Sequence, residues 1–131
     1  MKFFVLFVLI SQFFIGTALA QSTLNSAPNC ANAFVQNPLL WPPNHKFQSF
    51  TIQGIADDDD QLSIEVQCIH QDEPLNGQGD GNTSPDAVIQ SNGQFEVRSE
   101  RQGGGNGRVY HVDFKATDSF GASCESSLQV Q

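Results

Sequence analysis

LSIEVQCIH at residues 62–70 and RVYHVDFKAT at residues 108–117 decide the fold of this chain. Apolar residues occupy every second position along both stretches, and they are Leu62, Ile64, Val66, Cys68, Tyr110, Val112, Phe114 and Ala116. Because successive side chains of a β-strand point to opposite faces, this alternation predicts two strands that each bury one face. No segment shows a sustained helical period, so we expect an all-β fold.

Turn residues punctuate the chain about every ten residues. Asn92-Gly93 is a strong hairpin signal, and it predicts a second hairpin strand that turns Phe95 and Val97 inward. Polar loops are expected at 57–60, 71–85 and 103–107. The spacing indicates about six to seven strands, which favours an antiparallel β-sandwich or barrel.

The first 20 residues have the organisation of a secretory signal peptide. Lys2 precedes an apolar run, and Ala18 and Ala20 are the small residues of a cleavage site. A membrane anchor is the alternative, but the run is short for a bilayer span. We therefore expect a secreted protein with no membrane span after cleavage.

Two further segments are expected after the cleavage site. Residues 21–38 form an extended lead-in, and residues 39–131 form one β-sandwich domain. Trp41, between Leu40 and Pro42, is expected to cap one end of the core.

The chain is acidic, with a formal net charge of −8 at pH 7. A field of that sign attracts cations and repels nucleic acid and anionic lipid, so no nucleic-acid partner is expected. Solubility alone is the simpler explanation of the charge, since a net charge away from zero keeps small domains dispersed.

Acidic loop residues are the best candidates for an ion site. Ca²⁺ takes about six to eight oxygen ligands in irregular geometry, which suits loops at one end of a sandwich. We predict a Ca²⁺ site built from the loop carboxylates Asp57, Asp59, Asp72, Glu73, Asp80, Asp86 and Asp118. The alternative is that these residues are solvated turn formers. The run from Asp80 to Pro85 lacks the sixth-position glycine of an EF-hand.

Cys30, Cys68 and Cys124 are an odd set, so one of them stays unpaired in an oxidising compartment. Cys68 and Cys124 both occupy inward positions of predicted strands, which makes a bridge between the sheets one alternative. Cys30 precedes the first strand and Cys124 opens the last, and such strands are often neighbours in a sandwich. We expect Cys30–Cys124, with Cys68 as a small buried apolar residue.

Six stretches of the chain together carry a resemblance to known modules, and they are Leu40–Phe47, Gln71–Gly77, Gly79–Ala87, Val97–Arg101, Gly105–Tyr110 and Ala116–Asp118. From about Cys30 to its end the chain resembles immunoglobulin-like, cadherin-like modules of secreted and surface proteins, often bacterial, which are related in character to hyalin-repeat modules. The resemblance implies an immunoglobulin-like β-sandwich with an adhesion or architectural role. It also implies cysteines near positions 30 and 124, which supports that pairing.

Basic and imidazole side chains give weaker signals. Arg98, Arg101 and Arg108 flank the glycine loop and are expected to pair with Asp72, Glu73 or Glu100. His111 and Asp113 share a strand face, as two metal ligands do. Exposed histidines are usually only polar, however, and zinc is not expected there.

The sequence contains none of the common catalytic motifs such as Gly-x-Ser-x-Gly or His-Glu-x-x-His. We therefore expect a non-catalytic, monomeric binding or adhesion module whose partner is an extracellular protein or a glycan. The alternative is a small secreted hydrolase or inhibitor that uses the acidic loop at 71–86. Asn82-Thr83-Ser84 is a glycosylation acceptor triplet, used only in a eukaryotic cell.

Overall fold

The computed structural model describes residues 24–58, 61–72, 86–100 and 107–131. The signal peptide expected at 1–20 lies outside these ranges. The described residues form six β-strands: β1 (Phe47–Thr51), β2 (Ser63–Gln71), β3 (Ala87–Ile89), β4 (Gln94–Arg98), β5 (Tyr110–Thr117) and β6 (Ser123–Val130). Within those ranges no helix is long and apolar enough to cross a membrane.

The strands form two antiparallel sheets, ordered β1-β4-β3 and β2-β5-β6. This is the pairing of an immunoglobulin sandwich, in which the second, fifth and fourth strands form one sheet and the third, sixth and seventh form the other. The N-terminal segment lies where the first strand of that fold lies, and it contacts the chain after β1 through isolated bridges from Asn29 to Ala56 and from Phe34 to Gln53. The predicted all-β sandwich is confirmed.

The core lies between the two sheets, where the alternating apolar residues meet. On β5 the side chains of Tyr110, Val112, Phe114 and Ala116 are all buried, as predicted. Phe95 and Val97 face them from β4, and both are fully buried. Burial of these side chains is the main favourable contribution to folding.

The predicted hairpin joins β3 to β4. Asn92 and Gly93 both have positive φ, 56° and 73°, as a tight type I′ turn requires. The amide of Gln94 donates to the carbonyl of Ser91 at 3.2 Å and closes the turn. The hairpin register then pairs Ile89 with Phe95.

A β-bulge interrupts β2 after Val66. Val66 pairs with Phe114, but the next paired residue, Cys68, is opposite Asp113, so Gln67 is an extra residue in the strand. A one-residue shift reverses the face of every side chain that follows. Cys68 is therefore exposed, and the prediction of a buried Cys68 is wrong. Ile69 takes the inward position instead, opposite Val112.

The predicted disulfide between Cys30 and Cys124 is present, with a Cα–Cα distance of 5.8 Å. It ties the N-terminal segment to β6 across a sequence separation of 94 residues. Closing a loop of that size restricts the unfolded chain and stabilises the fold by about 4–5 kcal/mol on the chain-entropy model. Such a bridge is typical of proteins that fold in oxidising compartments.

Candidate functional site: an exposed tryptophan above a buried ion cluster

A cluster of buried charges closes the sandwich at the end where β5 begins. The Arg108 side chain is fully buried, and its Nη1 donates to Asp86 Oδ2 at 2.8 Å and to Glu100 Oε1 at 3.2 Å. Asp86 immediately precedes β3 and Glu100 follows β4, so the ends of three strands bring these groups together. Buried charges are costly unless they are paired and hydrogen-bonded, and here one guanidinium faces two carboxylates.

Two more side chains extend this ion cluster, which we define as Asp86, Arg98, Glu100, Arg108 and His45. The Nδ1 atom of His45 lies 2.9 Å from Glu100 Oε2. Arg98 Nε lies 3.8 Å from Glu100 Oε1, and Arg98 Nη1 donates to the His45 carbonyl at 2.8 Å. The prediction that the arginines pair with Glu100 is confirmed for Arg98 and Arg108, whereas Arg101 lies outside the described residues.

Asp86 is a member of this cluster that the sequence argument assigned only to calcium. The structure places its carboxylate against Arg108, and its Oδ2 also accepts a hydrogen bond from Gln71 Nε2 at 3.0 Å. In the sequence, only the position of Asp86 directly before the predicted strand at 87–90 could have suggested that it pairs with a charged residue at the end of the sandwich.

Tyr110, the first residue of β5, ties the cluster to the core. Its hydroxyl donates to the carbonyl of Arg98, the last residue of β4, at 2.9 Å. A tyrosine that bonds to upstream backbone at this corner is a known feature of immunoglobulin-type sandwiches. Burial raises the pKa of Tyr110 to about 12 because the phenolate would lose its hydration, although Arg108 nearby opposes that rise.

An apolar surface lies above the ion cluster, formed by Leu39, Trp41 and Pro43, and we call it the Trp41 surface. Leu39 and Trp41 are 67% and 65% exposed. The expectation that Trp41 caps the core is therefore wrong, and the half-buried Leu40 packs against the core instead. Large exposed side chains gathered in one place are typical of interaction sites.

The backbone beneath the Trp41 surface is fixed by hydrogen bonds from distant parts of the chain. The Leu40 amide donates to the Gln131 carbonyl at 2.6 Å, and the Gln131 amide donates to the Pro38 carbonyl at 2.8 Å. The Ser99 hydroxyl donates to the Pro42 carbonyl at 2.7 Å. The exposed tryptophan is thus carried on a backbone that is already ordered.

A pocket of about 110 Å³ adjoins the Trp41 surface. Its walls are Leu39, Leu40, Trp41 and Pro43 on the apolar side, and Glu100 and Arg108 on the charged side. Pockets for drug-sized ligands usually measure about 300–1,000 Å³. This one is large enough for a single side chain or a single small polar group, and its lining combines apolar side chains with two charged ones.

The predicted calcium ligands that the structure describes fall into two groups. Asp72 and Asp86 lie where β5 begins, and Asp72 Oδ1 accepts the Val109 amide at 2.8 Å. Asp118 lies where β5 ends, after a strand of eight residues that spans about 26 Å. Asp57 lies at the same end as Asp118, as the hydrogen bonds below establish. Asp59, Glu73 and Asp80 lie outside the described residues.

The N-terminal segment joins the two acidic loops at the end where β5 finishes. Asn25 Nδ2 donates to Asp118 Oδ2 at 2.8 Å, and the adjacent Ser26 amide donates to Asp58 Oδ2 at 3.0 Å. Asp118 Oδ1 closes its own turn by accepting the amides of Phe120 and Ala122. We call Asp57, Asp58 and Asp118 the acidic end.

Asp57 differs from its neighbours at the acidic end. Both of its carboxylate oxygens are buried, and they accept no hydrogen bond from any residue that the structure describes. A buried carboxylate oxygen without a partner costs free energy, and a bound cation would remove that cost.

Comparisons with known proteins identify no relative of this chain. The chain matches no protein-family model, no curated protein and no solved structure.

Proposed function

We propose that this chain is a secreted, non-catalytic binding or adhesion module whose partner, an extracellular protein or a glycan, docks on the Trp41 surface. The observation that carries this proposal is Trp41 itself: a tryptophan 65% exposed on a backbone held by Gln131, just after β6, and by Ser99, just after β4. Tryptophan is among the residues most enriched at binding hot spots, because its large ring buries much area with few rotatable bonds.

Preorganisation of this surface supports a binding role. A partner that docks on an ordered segment does not have to order it, so less of the interaction free energy is lost on binding. Glu100 of the buried ion cluster contributes to that order through its contact with His45, and the neighbouring Ser99 contributes through its bond to the Pro42 carbonyl. The pocket beside Trp41 would receive one projecting group of the partner.

Two features support a non-catalytic role over the hydrolase or inhibitor alternative. The pocket near the charged residues is about 110 Å³, small for a substrate cleft. Of the carboxylates that the alternative requires, Asp86 is engaged by Arg108 and Asp72 by the Val109 amide. Residues 73–85 of the acidic loop lie outside the described residues, so the alternative rests on the sequence argument alone.

The secreted location rests on two observations from different parts of the chain. The sequence of residues 1–20 has the organisation of a signal peptide. The Cys30–Cys124 disulfide belongs to the chemistry of oxidising compartments. The resemblance to immunoglobulin-like and cadherin-like extracellular modules agrees with both.

Calcium stabilisation is part of the same proposal and is assigned to the acidic end. Asp57 supplies two buried oxygens that have no hydrogen-bond partner among the described residues, and Asp58 and Asp118 both accept hydrogen bonds from the N-terminal segment. Carboxylate oxygens are the ligands that Ca²⁺ prefers. The ion would join the loop after β1, the turn before β6 and the N-terminal segment.

The binding proposal is tested with labelled protein on glycan arrays and on panels of extracellular proteins. Trp41→Ala is expected to weaken binding by about 2 kcal/mol or more, roughly thirtyfold in Kd. Phe120→Ala is the matched control, because Phe120 is 75% exposed but lies in the turn before β6, at the other end of the sandwich. The proposal would be contradicted if Trp41→Ala binds as tightly as the unaltered chain, or if the unaltered chain binds neither a glycan nor a protein of the panel.

A further inference from the structure

The bulge in β2 assembles a set of potential metal ligands that the alternating sequence conceals. After Gln67 the strand turns Cys68 and His70 outward, and the register places Cys68 opposite Asp113 and His70 opposite His111. These four side chains form two cross-strand pairs on the outer face of β2 and β5. Without the bulge, Cys68 and His70 would point into the core.

Three of these side chains have donor atoms close enough to share one ion. Donor atoms of Cys68, His70 and Asp113 all lie within 4.8 Å of one another. His70 Nδ1 lies 3.7 Å from Asp113 Oδ2. With bonds of about 2.0–2.3 Å at tetrahedral angles, the ligands of a zinc ion lie about 3.3–3.8 Å apart, so only small rotations would complete the geometry.

We propose that Cys68, His70 and Asp113 form a Zn²⁺ site on the outer face of the β2-β5-β6 sheet. Thiolate, imidazole and carboxylate are all zinc ligands, and three protein ligands with water in the fourth position are the pattern of open zinc sites. The Cys68 thiol loses its proton to solvent as the sulfur–zinc bond forms. This site is separate from both the Trp41 surface and the acidic end.

Exposure favours entry of the ion. Cys68 is exposed, and the side chains of His70 and Asp113 are 55% and 42% exposed. His111 stacks on the His70 ring with 5.0 Å between centroids and an interplanar angle of 7°. That contact limits the motion of His70, so one of the three ligands is already restrained in the free protein.

The experiment uses the purified chain with the Cys30–Cys124 disulfide intact and Cys68 as the free thiol. Zn²⁺ is titrated against a chromophoric chelator, and Co²⁺ is used as the spectroscopic probe. We expect one Zn²⁺ per chain, removed by excess chelator but not displaced by excess Ca²⁺. Bound Co²⁺ should show thiolate-to-metal charge-transfer absorption that Cys68→Ser removes.

Single variants locate the site. Cys68→Ser, His70→Ala and Asp113→Asn should each weaken Zn²⁺ binding by about tenfold or more, since even outer-shell partners are worth about 10–100-fold. Glu65→Gln is the matched control: Glu65 is an exposed carboxylate on the same strand, opposite Lys115, and its loss should leave affinity unchanged. Circular dichroism checks that each variant remains folded.

Three results would overturn the zinc proposal. The first is Zn²⁺ binding that all three variants retain, which would show that the ion binds elsewhere on the chain. The second is the absence of binding by the unaltered chain. The third is a Cys68-linked dimer on non-reducing gels that persists in the presence of Zn²⁺, which would show that the thiol serves a covalent contact between chains.

Discussion

A single buried phenol makes the stability of this sandwich fall at alkaline pH. The pKa of Tyr110 is raised by burial from its ordinary value of 10.0 to about 12. Between these pH values the unfolded chain has lost the phenolic proton while the folded chain keeps it, so the free energy of unfolding falls as pH rises. The contribution is fully present below pH 10 and amounts to at most about 3 kcal/mol, lost towards pH 12.

The measurement at this residue is unusually direct because Tyr110 is the only tyrosine in the chain. Near-ultraviolet absorption of the phenolate should show a midpoint near pH 12 in the folded protein and near 10 after denaturation. Tyr110→Phe, the control, loses the bond to the Arg98 carbonyl at every pH, about 1 kcal/mol, but lacks the ionisable group. A midpoint near 10 in the folded state would contradict the burial argument.

At the scale of elements, the β3-β4 hairpin depends on one glycine for two separate reasons. Gly93 has a φ of 73°, and a Cβ there would lie 2.9 Å from Ile64 Cγ2 of the facing sheet. Gly93→Ala should therefore destabilise the fold by about 2–4 kcal/mol, from left-handed backbone strain and from crowding against a stiff β-branched side chain. Urea unfolding measures the loss.

Gly121→Ala separates the two contributions to that loss. Gly121 has a φ of 88°, but a Cβ there meets nothing within 4 Å among the described residues. It should cost only the backbone strain, about 1–2 kcal/mol. Equal losses in the two variants would show that Ile64 yields freely to the added methyl group.

Strand periodicity predicted β4 and β5 correctly, because in these strands the inward residues alternate without interruption, and the Asn92-Gly93 turn signal predicted the hairpin. It failed in β2 after Val66, where Gln67, a polar residue like its alternating neighbours, is the bulge. The place of the bulge depends on how β2 pairs with β5, and the sequence of β2 alone does not show it. The same limit concealed Cys68 and His70 as neighbours of Asp113.

Local sequence patterns also could not predict the exposed position of Trp41 or the pairing of Asp86 with Arg108. Both depend on how the ends of strands far apart in sequence meet. Arg108 lies 22 residues from Asp86 and 8 from Glu100, yet one guanidinium contacts both carboxylates. The sequence predicted that the arginines would pair with carboxylates. The identity of each partner depends on how the sheets assemble.

At the scale of the whole molecule, the two ends of the sandwich neutralise their carboxylates differently. Where β5 begins, Arg108 supplies a buried positive charge to Asp86 and Glu100. Where β5 ends, Asp57 and Asp118 have no ion pair with any lysine or arginine in the described ranges. The disulfide holds the N-terminal segment near this acidic end, and a cation from solution would complete it.

Calcium should therefore raise the melting temperature, and Asp57 should decide the effect. At a hundred times its Kd the ion adds about 2.7 kcal/mol to the free energy of unfolding, and a chelator removes that gain. Asp57→Asn should abolish the response, yet be no less stable than the unaltered chain in chelator, because it removes a buried carboxylate that has no partner among the described residues. Asp72→Asn, at the opposite end, should keep the full calcium response. If both variants respond alike, or the unaltered chain does not respond at all, the assignment of calcium to the acidic end is wrong.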